Sequence, residues 1–189
     1  MELSIKRIAN NLILLIVKPG EFWSDLKSDK TGKNSLFVVY FLPLLSVVAL
    51  AVFFGELLKS HTLYIGFALL KSLREIVLLS GYYFLSVYFA NELMEMSGGK
   101  KNKSVAQKLV IFSMTPYLLV SIITGLFPFL YIMDVLVLYS FYIFWLGAEE
   151  LVELPGKNLK KYILINILIG FIIFSFLSIL LSKILTLYI

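Results

Sequence analysis

The residues of this sequence with the most evident capacity for chemistry are ionisable side chains set within long apolar stretches. Because charged groups are costly inside a bilayer, such residues are candidates for functional sites. We define a candidate polar cluster of five: Glu56, Lys71, Arg74, Glu75 and Asp134. Helical spacing would let Lys71 pair with Glu75, and Asp134 lies at a depth from which it could pair with Lys71 or Arg74.

Two interpretations of this polar cluster are open. In the first, the five residues line a pocket that opens outward and binds an ion or an anionic headgroup. In the second, Lys71, Arg74 and Glu75 lie on a surface helix, and Asp134 is paired to fix helix packing.

Composition excludes most classes of catalytic and metal site. The 189 residues contain no cysteine and one histidine, His61, so thiolate chemistry, disulfides and His-rich metal sites cannot form. No candidate nucleophile accompanies a base, so we expect a protein that is not an enzyme and uses no metal or cofactor. The net charge of +5 indicates membrane orientation rather than binding to nucleic acid.

The polar cluster is positioned by five apolar segments. Hydrophobic residues make up 60% of the chain and charged residues 15%, whereas soluble domains carry roughly 25% charged residues. A helix needs about 20 apolar residues to cross a bilayer. The sequence therefore predicts an all-α integral membrane protein whose membrane domain, residues 34–189, has five transmembrane helices at about residues 36–58, 63–94, 105–126, 129–147 and 162–188.

Two of the predicted spans are irregular. The second would form a helix of about 48 Å at 1.5 Å per residue, although the hydrocarbon core is only about 30 Å thick. Either this helix projects from the membrane, or residues 63–70 lie on its surface and the span begins at Ile76. The third span carries Thr115 and Pro116 near its middle, which predicts a helix kink because proline removes a backbone hydrogen bond.

The first 33 residues are predicted to form a cytoplasmic segment in the membrane interface. At helical spacing, one face of this segment carries five apolar side chains: Ile5, Ile8, Leu12, Leu15 and Ile16. The run is too short to span, so we expect an interfacial amphipathic helix, with a cleaved or spanning segment as the alternative. A short helix from Pro19 would place Trp23 at the headgroup level, unless this stretch is a solvated loop.

Basic residues predict the orientation of the spans. The N-terminal region, residues 95–108 and residues 148–161 carry thirteen Lys and Arg residues on one side, against two to four on the other. The positive-inside rule therefore predicts a cytoplasmic N-terminus and an external C-terminus. The cytoplasmic lysines can also attract anionic lipids, at about 1 kcal/mol each, or they can serve topology alone.

Three stretches resemble the Yip1 domain family. Residues 18–26 are similar to its proline-acid-aromatic segment, residues 112–117 to its serine-x-x-proline pattern, and residues 139–157 to its tyrosine-rich helix, glycine and proline-lysine loop. The resemblance covers most of the chain and implies five spans with a cytoplasmic N-terminus. The Asp-Leu-Tyr-Gly-Pro element of eukaryotic members, which are linked to small GTPases, does not occur here. The resemblance thus implies the compact prokaryotic branch and a prokaryotic cytoplasmic membrane.

These observations lead us to expect a protein that organises or shapes the bilayer, or scaffolds partners within it, without catalysis. The alternative is a small transporter or channel that uses the polar cluster. The expected partners are the lipid bilayer, anionic lipids included, and other membrane proteins or further copies of this chain.

Overall fold

The computed structural model describes residues 12–28, 36–59 and 65–186, and these residues are helical apart from short connections. A π-helical turn at Phe37–Phe41 precedes the third α-helix, and a 3₁₀ helix at Pro128–Leu138 precedes the seventh. The α-helices are α1 (residues 12–17), α2 (Pro19–Ser28), α3 (Leu42–Lys59), α4 (Ile65–Met96), α5 (Lys103–Ser113), α6 (Thr115–Leu126), α7 (Tyr139–Leu151) and α8 (Gly156–Thr186).

Five helical stretches are long and apolar enough to cross a membrane: Phe37–Lys59, Ile65–Met96, Lys103–Leu126, Pro128–Leu151 and Gly156–Thr186. The predicted all-α class with five spans is therefore confirmed, and each predicted span overlaps one of these stretches. The central residues of each stretch were identifiable because apolar runs of this length are rare outside membrane helices.

The second span is one continuous helix rather than a surface segment followed by a span. Ala68 is fully buried, and the Ser72 hydroxyl donates to the Ala49 carbonyl of α3 at 2.8 Å. The first turns of α4 thus pack against α3. The continuous helix favours the interpretation in which it projects from the membrane, and its depth stays a prediction.

Prolines account for the irregular turns in the first and third spans. The ring of Pro43 would clash with the Val39 carbonyl in a regular helix, and the preceding turn instead widens, so that the Leu42 N–H donates to the Phe37 carbonyl. Pro116 has no N–H for the Phe112 carbonyl, and the third span is interrupted at Met114.

A buried hydrogen bond joins these two irregular turns. The Tyr40 and Thr115 hydroxyl oxygens lie 2.9 Å apart, and both residues are buried. Thr115, which the sequence marked as part of a kink, therefore also ties the third span to the first.

Trp23 of α2 lies inside the protein. Its side chain is fully buried, its indole N–H donates to the Ile143 carbonyl at 3.1 Å, and its ring packs edge-on against Phe112. Protein therefore encloses this side chain, while its depth at the headgroup level stays a prediction. The physical reason is that α7 supplies both an acceptor for the indole N–H and, at Gly147, a position without a side chain to obstruct the ring.

The predicted lipid-facing side of α1 is also corrected. Leu15 is fully buried in the core, and Leu12 and Ile16 are half-buried against it. The exposed side chains are instead Ile13 and Val17, at 64% and 69%. Ile5 and Ile8 lie outside the described residues.

Candidate functional site

Four members of the polar cluster form ion pairs at the end of the bundle where α3 ends and α4 begins. Lys71 Nζ lies 2.5 Å from Glu56 Oε2, and the Arg74 guanidinium contacts the Glu75 carboxylate. Lys71 therefore pairs with a residue of the neighbouring helix rather than with Glu75 of its own. The glutamate side chains are only 11% and 13% exposed, so these cations offset charges that would be costly to bury alone.

Arg74 also connects α4 to α8. Its Nη2 donates to the hydroxyl oxygens of Ser178 and Ser182, at 3.0 and 3.1 Å. Ser178 and Ser182 are four residues apart and lie on one face of α8, next to the guanidinium. The Arg74 guanidinium therefore contacts Glu75 on its own helix and two serines on α8, which indicates a role in helix packing.

Asp134, the fifth member, is not paired in this way. It lies on the 3₁₀ helix and is exposed, and the described residues include no hydrogen bond or ion pair to its carboxylate. The pair with Lys71 or Arg74 that the sequence allowed is thus not formed, because those cations are paired with Glu56 and Glu75.

A cavity of about 360 Å³, which we call the polar cavity, brings three cluster members together. It lies among α3, α4, α6, the 3₁₀ helix and α8. Its ionisable and hydroxyl-bearing lining residues are Lys71, Glu75, Tyr117, Ser121, Thr124 and Asp134. The convergence that the pocket interpretation requires is therefore partial, since Glu56 and Arg74 contact this lining through their ion pairs without lining the cavity.

A second cavity of about 220 Å³, which we call the apolar cavity, adjoins the first. Four residues line both cavities: Tyr117, Asp134, Val137 and Phe174. The apolar cavity is walled mainly by hydrocarbon side chains, but the hydroxyls of Ser113 and Ser140 also line it. Both hydroxyl oxygens are buried without a hydrogen-bond partner in the described structure.

Comparison with known protein families identifies the chain. The family model of the Yip1 domain matches residues 13–179. The chain belongs to the Yip1 domain family. The match includes all five spans in whole or large part, together with the lining of both cavities, and it confirms the resemblance that the sequence motifs indicated. No curated protein and no solved structure matches the chain.

The three stretches that carry the Yip1 resemblance meet in the folded chain. The ring of Phe22 packs edge-on against that of Phe112, with centroids 4.8 Å apart. The indole N–H of Trp23 donates to the Ile143 carbonyl, and the indole ring lies next to Gly147. The docking of α2 against α5 and α7 is therefore the structural role of these Yip1-like motifs in this chain.

Sequence reasoning did not identify the apolar cavity. Its clearest signals were polar residues in apolar spans, namely Ser113, Ser140 and Asn166. Ser113 and Ser140 belong to stretches that carry the Yip1 resemblance, but nothing in those stretches indicates a cavity. Asn166 is buried and donates to the Tyr162 carbonyl at 2.9 Å. Three serines of the lining, Ser86, Ser113 and Ser140, have buried hydroxyl oxygens without a hydrogen-bond partner in the described structure.

The opposite end of the bundle carries the basic loops of this Yip1 domain. Lys101 Nζ lies 2.7 Å from Glu92 and 3.0 Å from Glu95, and hydrogen bonds to these carboxylates raise the pKa of Lys101 above its ordinary value. Lys27 of α2 pairs with Glu150 at 3.1 Å. Part of the positive charge in this region is thus balanced within the protein.

Proposed function

We propose that this Yip1 domain protein organises or shapes the bilayer, or scaffolds partners within it, without catalysing a reaction. The observation that supports this proposal is dense side-chain packing in one part of the bundle. That part lies between the two cavities and the end of the bundle where α2 docks. Large side chains are fully buried there: Trp23, Phe41, Leu109, Ile111 and Ile143. A bundle that is filled in this half suits a rigid membrane element better than a conduit.

A small transporter or channel is the second candidate function. It is favoured by the convergence of Lys71, Glu75 and Asp134 on one open cavity. Charged groups inside membrane proteins commonly mark ion and substrate pathways. The two candidates differ in whether solute crosses the bilayer, which can be measured directly.

Solute flux is expected to be no greater in proteoliposomes than in protein-free liposomes. We would load vesicles with a potassium-sensitive, a chloride-sensitive or a proton-sensitive dye and impose the matching ion gradient. The unaltered chain, Arg74→Ala and Asp134→Ala should behave alike, while electron microscopy should show altered vesicle diameter or tubulation with the unaltered chain. Flux that Asp134→Ala abolishes would instead establish the transporter, and vesicles of unchanged shape would contradict bilayer shaping and leave scaffolding to be tested by crosslinking.

We further propose that the N-terminus is cytoplasmic, the C-terminus is external, and the membrane is the cytoplasmic membrane of a prokaryote. The loops rich in basic residues share one end of the bundle, where the Asn158 side chain donates to the Ser97 carbonyl at 3.0 Å. Lysines at this end that are not tied to glutamates are available to attract anionic lipids of the inner leaflet.

The absence of cysteine makes this orientation directly testable. In intact cells, a membrane-impermeant maleimide should label Lys59→Cys and Ile189→Cys. It should label Lys100→Cys only after lysis. The reverse pattern would contradict the proposed orientation, and labelling of all three variants in intact cells would contradict a single orientation.

A further inference from the structure

The two adjoining cavities share four lining residues but differ in chemistry, and we call them together the cleft. The polar cavity provides an ammonium group and carboxylates at Lys71, Glu75 and Asp134. The apolar cavity shares Tyr117 and Phe174 with it, and side chains such as Phe144 and Phe171 also line the apolar cavity. A cleft that is charged at one end and apolar at the other matches an amphiphile rather than an ion or a sugar.

The charges of the polar cavity favour a zwitterionic ligand. Glu56 and Glu75 are matched by Lys71 and Arg74, so the carboxylate of Asp134 is the uncompensated charge among the five and favours a cation. The Lys71 ammonium has three N–H donors, of which one serves Glu56. A phosphate oxygen can accept from another, so the cavity suits a headgroup that carries both phosphate and amine.

The hydroxyls of the apolar cavity fit the next part of such a molecule. Ser113 is 6% exposed, and its hydroxyl oxygen has no hydrogen-bond partner in the described structure, as is also true of Ser140. Buried polar groups in proteins are normally hydrogen-bonded. The ester carbonyls of a glycerolipid lie between headgroup and acyl chain, and they would accept from these serines while the chain contacts the surrounding phenylalanines.

The 3₁₀ helix gives the cleft a wall at the periphery of the bundle. None of its described residues is buried, and its side chains Ile132, Val135 and Leu136 are 69%, 61% and 54% exposed. The backbone leaves helical geometry at Leu130, so this wall consists of two 3₁₀ stretches that meet at a kink. Asp134 and Val137 of this wall line both cavities, so a lipid in the surrounding bilayer lies next to the cleft.

We propose that the cleft binds one phosphatidylethanolamine molecule, with its amine at Asp134, its phosphate at Lys71 and its ester groups near Ser113 and Ser140. Ethanolamine is favoured over choline because its ammonium N–H groups can donate to the Asp134 carboxylate. A headgroup of phosphatidylglycerol supplies the anion without the cation and leaves Asp134 uncompensated. This inference rests on the proposed function in one respect, namely that the protein acts on lipids.

The test is a lipid titration of the delipidated, full-length protein followed by native mass spectrometry. Phosphatidylethanolamine, phosphatidylcholine and phosphatidylglycerol with identical acyl chains are compared. A single lipid molecule should bind, and phosphatidylethanolamine should bind most tightly of the three. Asp134→Asn should weaken the binding of phosphatidylethanolamine about tenfold, as expected for a lost hydrogen bond to a charged group. Ser113→Ala should weaken all three lipids, and Glu153→Gln, an exposed acidic residue outside the cleft, should change nothing.

Equal affinity for the three headgroups, or identical binding by the unaltered chain and Asp134→Asn, would overturn the proposal. Asp134 is exposed and unpaired, so its replacement leaves the ion pairs of the bundle in place, and circular dichroism verifies the fold of each variant. Vesicle remodelling that persists without selective binding would leave the proposed function standing while this inference fails. Selective binding without vesicle remodelling or partner crosslinks would support this inference while the proposed function fails.

Discussion

Replacement of Gly55 by alanine is expected to destabilise the bundle strongly, although it adds only one methyl group. A Cβ at this position would lie 1.8 Å from the carbonyl oxygen of Gly125 and 3.0 Å from the Cα of Leu126. Both are backbone atoms of α6, so no side-chain rotation can relieve the clash. The helices α3 and α6 must separate, which opens the packing around Val52 and one wall of the polar cavity.

The cost should reach the upper range for overpacked interiors, about 3 kcal/mol. For a chain of this size, a change of that order lowers the Tm by roughly 6–12 °C. Thermal unfolding in detergent, followed by circular dichroism, measures the shift.

Gly66→Ala is the matched control for this substitution. Gly66 also lies in an apolar helix, and a Cβ there would meet nothing within 4 Å. Since the added methyl group meets no other atom, this variant should unfold at about the same temperature as the unaltered chain. Equal Tm values for Gly55→Ala and Gly66→Ala would show that α3 and α6 are not in close contact.

The spans were predictable because each depends on a local property of the chain. A run of about 20 apolar residues identifies a membrane helix without knowledge of its neighbours. Pro116 likewise predicts an interrupted helix, because the missing N–H belongs to the residue itself.

The pairing within the polar cluster was not predictable in the same way. Helical spacing places Lys71 next to Glu75, yet Lys71 bonds to Glu56 on another helix. Which of these contacts forms depends on how α3 and α4 are rotated about their axes, and apolar spans contain little pattern that fixes this rotation. Asp134 is unpaired because Lys71 and Arg74 pair with Glu56 and Glu75, and the sequence does not show which of these pairs forms.

Trp23 shows that composition can mislead where packing decides. A tryptophan near a membrane helix is typical of the interface, and no local signal distinguishes an exposed indole from a docked one. The partners that bury Trp23 are Phe112, Ile143 and Gly147, all of them distant in the sequence. The sequence analysis identified the glycine of the Yip1-like stretch, Gly147, but it did not show that this position leaves room for the indole ring of Trp23.

Replacement of Gly147 by alanine is therefore expected to displace Trp23 and loosen the docking of α2. A Cβ at this position would lie 2.5 Å from two atoms of the indole ring and 2.9 Å from Leu109. A rigid ring that is fully enclosed cannot rotate away, so it must move from the site where it donates to Ile143. We expect a cost of about 1–3 kcal/mol, confined largely to α2 because the five spans are held by other contacts.

Tryptophan fluorescence measures this displacement once Trp145, the second of the two tryptophans, is replaced by phenylalanine. In that background, Gly147→Ala should shift the Trp23 emission to longer wavelength and raise its quenching by iodide, since the ring reaches a more polar environment. Gly20→Ala is the control on α2 itself, because a Cβ there meets nothing within 4 Å. If Trp23 were an interfacial anchor independent of α7, the two alanine variants would have the same emission and quenching, and the docking of α2 through this ring would be refuted.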